Sequence, residues 1–597
     1  MRVWMNEKRL IDCFPEGYTP RKQQVFILNE IERHIKNGVK YIIINAPTGI
    51  GKSLIAMAIG NYFKHCYICT GQKSLQDQYI KEFGDMATTV KGRANFKCLD
   101  YKRERDGDIN NCDYGWCTRN KDPEKICHRT IHPREAGRVA AFSCTRQNLY
   151  YQSDDKTCEY QAQKAKALNS KIVIANYDYV LAALNYIGDF CRRDVIVSDE
   201  GHGLEAHIAN FVTVDISSYF LDRLNARFLK KDSLNFAYTN YNDSQEVKFE
   251  CHFSQLQKIY SKLLIVEKQS EGNSKDAKLF NNALTKIRYL LDDIEENRNN
   301  WVVKEERTYS KKSVTKIQFC PIFIHQYAKK NFFSFGKVNI IMSATILAKD
   351  KEACNRFAAD LGIKANEYEY ITVPQVFPWV NSLIYNLGLV NLRYSKDRSP
   401  EQERMFYKDV VKQIDLILDL HPNAKGIIHC HTKKISALID EFTTHKDRII
   451  THDTKNRADR LKEHCDSKKP TVLCSPSMHE GVDLKDELSR FQIIVKIQYP
   501  NIKEERIEQR LKLDPTYIDR QASLAFAQAL GRSVRSSNDY ARTYTIDSRF
   551  TWFISKNHNY LSGIVENRII PANSIESNLR ACHKNELMAL DELFKRN

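Results

Sequence analysis

The stretch that decides the fold runs from Tyr41 to Thr70, YIIINAPTGIGKSLIAMAIGNYFKHCYICT. A short apolar run, YIIIN, precedes a glycine-bearing turn; SLIAMAIGNYF then has helical length, and CYICT is a second apolar run. Strand, helix and strand in that order make a βαβ unit with parallel strands. Its turn, Ala46-Pro47-Thr48-Gly49-Ile50-Gly51-Lys52-Ser53, follows the phosphate-loop pattern G-x-x-x-x-G-K-S/T with Ala46 in place of the first glycine. Gly49 and Gly51 allow backbone angles that a side chain forbids, so successive N–H groups can wrap a phosphate at the N-terminus of the next helix. Lys52 can neutralise the β- and γ-phosphates, and the Ser53 hydroxyl can hold Mg²⁺. ATP is the expected ligand.

Working outward, KIVIAN and DVIVSDE are further buried-type strands with polar carboxyl ends, where open α/β sheets place their chemistry. DVIVSDEGH ends in Asp199 and Glu200, one carboxylate to bind Mg²⁺ and the next to orient an attacking water, with His202 placed to couple them to other motifs. VNIIMSATI returns to the same sheet. A second α/β series then follows in AKGIIHCHT, DRIITHD, PTVLCSPS, FQIIVKIQYP and RTYTIDSR. Between them, residues 205–315 shift to Asn, Lys and Ser with long helical patterns and are expected to form a mostly helical insertion.

Composition bounds the rest. The 597 residues, 42% hydrophobic and 28% charged, are too many for one core and too apolar for a disordered chain. A formal net charge of +17 favours a polyanionic partner such as nucleic acid. No run approaches the roughly 18 apolar residues of a membrane span. Charges in MRVWMNEKRLIDCF fall where a secretory signal would be apolar, so a reducing cytoplasm is the expected compartment.

The order of motifs resembles the iron–sulfur helicases of superfamily 2, the XPD/DinG family. In YTPRKQQ, Arg21 and Gln24 occupy the R-x-x-Q positions of the adenine-side segment. TGQKSLQDQ, with Thr70, Leu75, Gln76 and Gln78, resembles motif Ia, which touches the nucleic-acid backbone, and NYDYVL resembles the family's N-[HY]-x-x-L segment. Ser343, Ala344 and Thr345 match motif III; Glu480, Gly481 and Asp483 match motif V; Gln528, Arg532 and Arg535 match motif VI. GIIHCHTKK stands at motif IV with His429 and His431, whose spacing on a strand would put both on one face. Arg532 and Arg535, three positions apart on a helix, could reach a γ-phosphate held by the other domain.

The resemblance implies two RecA-like parallel-sheet domains, with a cysteine-rich and a helical arch-like insertion in the first. The expected division is 1–90, 166–204 and 316–365 for the first domain, 91–165 and 205–315 for its insertions, and 366–597 for the second. Six of the 17 cysteines fall in the first insertion. Cys98, Cys117, Cys144 and Cys158 are taken as ligands of a four-iron, four-sulfur cluster, with Cys112 and Cys127 as alternatives to Cys144 and a Cys₄ zinc site as the competing reading. The implied enzyme is a monomeric, Mg²⁺- and ATP-dependent DNA helicase of repair or replication, moving 5′ to 3′ on single-stranded DNA and opening tailed or forked duplexes. In the same site, Glu200 activates water, Lys52, Gln528, Arg532 and Arg535 serve catalysis, and Gly481 and Asp483 adjoin the nucleotide. A DNA-dependent ATPase that clamps without unwinding, and a small-molecule ATPase insensitive to DNA, are the rival readings.

Overall fold

A computed structural model describes residues 8–97, 112, 130–131, 150–151, 159–188, 190–228, 233–269, 275–308, 310, 313–393, 398–454, 456–478, 484–534, 536 and 538–571. Its strands, in chain order, begin with β1 (Tyr41–Asn45), β2 (Cys66–Thr70), β3 (Thr88–Thr89), the antiparallel pair β4 (Thr130–Ile131) and β5 (Tyr150–Tyr151), β6 (Ile172–Asn176) and β7 (Arg193–Asp199). Next come β8 (Val214–Ser217), β9 (Trp301–Arg307), β10 (Val314–Pro321), β11 (Gly336–Ser343) and β12 (Tyr368–Thr372). The second half supplies β13 (Ile384–Val390), β14 (Gly426–His429), β15 (Ile449–Thr451), β16 (Val472–Ser475), β17 (Phe491–Ile494), β18 (Arg542–Asp547) and β19 (Ile569–Pro571).

These build two seven-stranded sheets, ordered β12-β1-β11-β7-β2-β6-β3 and β15-β16-β14-β17-β18-β13-β19. Every pairing in both is parallel. This is the two-domain α/β architecture the motifs call for. Continuous apolar runs suit it because a parallel sheet is covered on both faces. Alternation along β1 shows both covers: Tyr41 and Ile43 join one buried cluster, Ile42 and Ile44 the other. Register places the site, since Asn45 of β1 pairs with Ser343 of β11, and Met342 of β11 with Asp199 of β7. Three carboxyl ends thus meet at one point of the sheet edge.

Two elements differ from the sequence expectation. β12 lies at the edge of the first sheet, beside β1, so residues 368–372 belong with the first domain and not beyond a boundary at 366. YEYIT alternates without a motif, and nearness to the second series hid its partner. The segment 205–315 contains two long helices, Gln245–Gln269 and Lys275–Asn297, but also most of an antiparallel sheet ordered β8-β10-β9. Phe249, Leu256, Ile259, Ile287 and Leu290 share one buried cluster with Tyr41, Ile43 and Tyr67, so this insertion is packed onto a face of the first sheet. Among the described residues, no helix is long and apolar enough to cross a membrane.

Candidate active site

The phosphate loop leaves β1 at Asn45 and enters the helix Lys52–Tyr62. Ala46 is fully buried, donates its N–H to the Ser343 carbonyl at 2.9 Å and is not among the residues with positive φ, which is why alanine replaces glycine there without strain. Gly49 and Gly51 do lie in the left-handed region, at φ +83° and +82°. A Cβ on Gly49 would fall 1.9 Å from the Phe377 ring, and one on Gly51 would fall 2.6 Å from Gln24 Nε2. Arg21 and Gln24, read as base contacts, here brace the loop: Arg21 Nη1 donates to the Gly49 carbonyl at 2.8 Å and Gln24 Nε2 to the Ile50 carbonyl at 2.9 Å. Both braces act on carbonyl oxygens, the groups an anion does not use. Pro47, Thr48, Ile50 and Lys52 complete the turn.

At the end of β7, Asp199 is buried and held at three points. Its Oδ1 accepts the Glu200 N–H at 3.0 Å, its Oδ2 accepts the Tyr79 hydroxyl at 2.8 Å, and its carbonyl accepts the Tyr177 hydroxyl at 2.9 Å. The Ser53 side chain neighbours the same Tyr79 phenol. Glu200 has φ 54° and ψ 43°, a left-handed conformation that costs a non-glycine residue about 1–3 kcal/mol and turns its side chain toward the loop. Lys52 Nζ lies 3.3 Å from Glu200 Oε1, and His202 Nδ1 lies 3.4 Å from Glu200 Oε2.

The two neighbouring carboxylates differ in acidity. Burial, then the Glu200 charge, push Asp199 above the ordinary carboxylate range. Burial acts the same way on Glu200, but Lys52, His202 and Arg532 outweigh it and hold Glu200 below that range, an ionised acceptor of protons. Ser53 and Asp199 offer only oxygen, a hard donor set that fits Mg²⁺ keeping much of its water and phosphate shell.

The second domain meets this edge directly. The amide of Gln528, on the helix Tyr517–Leu530, lies 2.6 Å from His202 Nε2, while His202 Nδ1 lies 2.8 Å from Ser343 Oγ and 3.2 Å from Thr345 Oγ1. An amide NH₂ donating to Nε2 puts the ring proton on Nδ1, facing Ser343 and Glu200. Arg532 Nε donates to the Gln528 carbonyl at 3.0 Å, and a Cβ on Gly531 would lie 3.4 Å from Thr48 Oγ1. Beside this contact, buried Arg510 reaches Asp360 Oδ1 at 2.7 Å and Glu205 Oε1 at 3.3 Å, and Arg520 reaches Asp360 Oδ2 at 2.9 Å.

Some candidates fall elsewhere. Arg535, Glu480, Gly481 and Asp483 lie outside the described residues, as do Cys98, Cys117, Cys127, Cys144 and Cys158. Cys112 is described: it is buried, with its Sγ 3.5 Å from the Lys97 carbonyl. Gln76 does not face outward as the motif Ia likeness suggests. It is buried, and its Nε2 bonds to Thr89 Oγ1 and the Val90 and Ile174 carbonyls, tying its helix to the sheet. His431 lies past the end of β14 at φ 67°, so it does not alternate with His429 on a strand. Tyr79 was missed because a lone tyrosine in a helix reads as core, although its position beside SLQDQ hints at more; Tyr177 stands at the second position of NYDYVL, whose hydroxyl contact the likeness does not specify.

Known proteins match both ends of the chain. Residues 17–224 match the family described as type III restriction enzyme, res subunit, and residues 428–567 the family described as helicase C-terminal domain. A probable ATP-dependent helicase of Methanocaldococcus jannaschii is 22% identical, the alignment covering 91% of this chain and 93% of that protein. The ATP-dependent DNA helicase CHL1 of Vanderwaltozyma polyspora is 28% identical over 22% of this chain and 18% of its own length. Among solved structures, an XPD helicase superposes with a TM-score of 0.59 at 15% identity, covering 93% of this chain and 100% of that one. Xpd4 of S. tokodaii superposes with a TM-score of 0.54, also at 15% identity and covering 93% of this chain and 100% of its own.

Two parallel sheets meeting at a single phosphate loop are the fold shared with the superposed XPD structures. Matches at both ends of the chain, and one running through nearly all of it, make the chain similar to ATP-dependent helicases, with the fold of the XPD structures.

Proposed function

We propose that this protein hydrolyses ATP to move along single-stranded DNA, 5′ to 3′, and to part the strands of tailed or forked duplexes. The observation that carries the reading is the 2.6 Å contact between Gln528 and His202, because it joins the second domain to the acidic strand end of the first. Lys52 and the loop N–H groups hold the β- and γ-phosphates, and Ser53 and Asp199 hold Mg²⁺, which offsets phosphate charge. Glu200 accepts a proton from water as the water oxygen bonds to the γ-phosphorus and the bond to the ADP oxygen breaks. Arg532, joined in the sequence by Arg535, stabilises the charge that develops, with Gly481 and Asp483 near the same nucleotide. Loss of the γ-phosphate removes what Arg532 binds, so each turnover loosens one domain from the other.

Residues 91–165 are proposed to hold a thiolate-bound iron–sulfur cluster, which would cross-link a strand-separating wedge, and residues 205–315 to form an arch beside it. Zinc is the competing metal, and iron, sulfide and zinc analysis of anaerobically purified protein decides between them. The main test compares wild type with Lys52→Ala. Wild type is expected to show ATPase activity stimulated by single-stranded DNA and to unwind a 5′-tailed duplex faster than a 3′-tailed one. Lys52→Ala is expected to do neither. Stimulated ATPase without unwinding would favour a clamp, and no stimulation would end the DNA reading.

A further inference from the structure

We propose that Tyr79 is a positioning residue for the divalent cation, holding the Asp199 carboxylate in the arrangement that receives it. The inference rests on the ATPase reading above and adds a residue that the helicase motifs leave out.

Both oxygens of Asp199 are engaged by this chain. Oδ1 is fixed by the Glu200 N–H at 3.0 Å, and Oδ2 is fixed by the Tyr79 hydroxyl at 2.8 Å. Removing the phenol would leave the carboxylate on one hydrogen bond and free to turn about its side-chain torsions. Tyr79 itself is 1% exposed and packs with Phe83, ring centroids 6.2 Å apart, on the helix Lys73–Phe83. Its phenol also neighbours the Ser53 side chain, so one rigid group stands between a residue of the phosphate loop and a residue of β7.

A carboxylate oxygen has two lone-pair directions, so Oδ2 can accept Tyr79 and still face a cation or its water. Core packing alone would be met by phenylalanine. The hydroxyl is explained by the carboxylate it joins, which is the one a cation would use. Groups that orient a metal's ligands typically contribute about 10- to 100-fold to metal affinity.

The test is Tyr79→Phe, which keeps the ring and removes the hydroxyl. Binding of Mn²⁺ to the full-length protein with ADP is followed by electron paramagnetic resonance, and Mg²⁺ is titrated into the DNA-stimulated ATPase assay. Affinity for Mn²⁺ is expected to fall about tenfold or more, and the Mg²⁺ needed for half-maximal hydrolysis to rise in parallel, with kcat at saturating Mg²⁺ within about threefold of wild type. Binding of a fluorescent ADP in EDTA is expected to be unchanged, which reports an intact fold. Unaltered Mn²⁺ affinity in Tyr79→Phe would overturn the proposal. Wild-type protein that binds no Mn²⁺·ADP would instead sink the ATPase reading on which it rests.

Discussion

His202 joins four groups through one imidazole. Its Nδ1 side meets Ser343, Thr345 and Glu200, and its Nε2 side meets Gln528 from the opposite domain. A ring that must donate on one side and accept on the other transmits the state of either side, because shifting one partner changes which nitrogen holds the proton. Gln528→Ala is therefore expected to lower DNA-stimulated ATP turnover about tenfold while nucleotide affinity stays within a few-fold, the loss expected for one hydrogen bond that matters only in the closed cleft. Steady-state kinetics with a parallel fluorescent-nucleotide titration check this, and equal losses in both would place Gln528 in simple binding. The residues of this junction were legible where they lie in contiguous motifs, as Lys52, Asp199, Glu200 and His202 do. The hydroxyl contacts of Tyr79 and Tyr177 were not, since their partners are 120 and 22 positions away and nothing in a helix or motif pattern distinguishes a phenol that bonds from one that packs.

Strands buried on both faces announced themselves as apolar runs: β1, β2, β6, β14 and β16 fall within the runs that the sequence picks out, and β7 and β11 begin one and two residues ahead of theirs. The edge strands β3, β8, β9, β12 and β19 did not, because edge positions admit Glu, Lys, Asn and Thr and break the pattern, and in β13, one place in from the edge, Asn386 and Gly388 interrupt the apolar run. The sheet β8-β10-β9 is held by polar contacts as much as by its core. Glu305, 3% exposed on β9, takes hydrogen bonds from His252 at 2.6 Å, Thr239 at 2.6 Å and Arg307 at 2.7 Å. Burial alone would raise its pKa; the bonds from His252, Thr239 and Arg307 outweigh that and lower it from 4.5 to about 2. A depressed carboxylate adds stability above its unfolded pKa and loses it as pH falls through the folded one. Glu305→Gln is thus expected to cost on the order of 3 kcal/mol at neutral pH, with the gap to wild type closing between about pH 4.5 and pH 2 in thermal melts. A gap that stayed constant over that range would show that the charge is irrelevant.

Across the whole molecule, two halves meet at the nucleotide edge and at an ionic cluster beside it. Arg506 and Arg510, from the helix Glu505–Leu513, reach Glu205, which opens the helix Leu204–Val212 shortly after His202. Arg520 shares a helix with Gln528 and meets Asp360 of the first domain. These charges are far apart in sequence and lie outside the motif residues themselves, so they became visible only once the sheets were placed. Arg510→Met would leave Glu205 and Asp360 short of a buried partner, at about 3–5 kcal/mol, and is expected to split a single calorimetric transition into two as the domains uncouple. A single transition at the wild-type temperature would show that the cluster does not hold the halves together.

The central claim is that hydrolysis needs both walls of the seam. Arg532 tests it most directly, since it belongs to the second domain, yet its charge acts on Glu200 of the first. In single-turnover hydrolysis with single-stranded DNA and saturating Mg²⁺, Arg532→Ala is predicted to slow cleavage by about 10³-fold or more while still binding ATP. Cleavage at the wild-type rate would contradict the account.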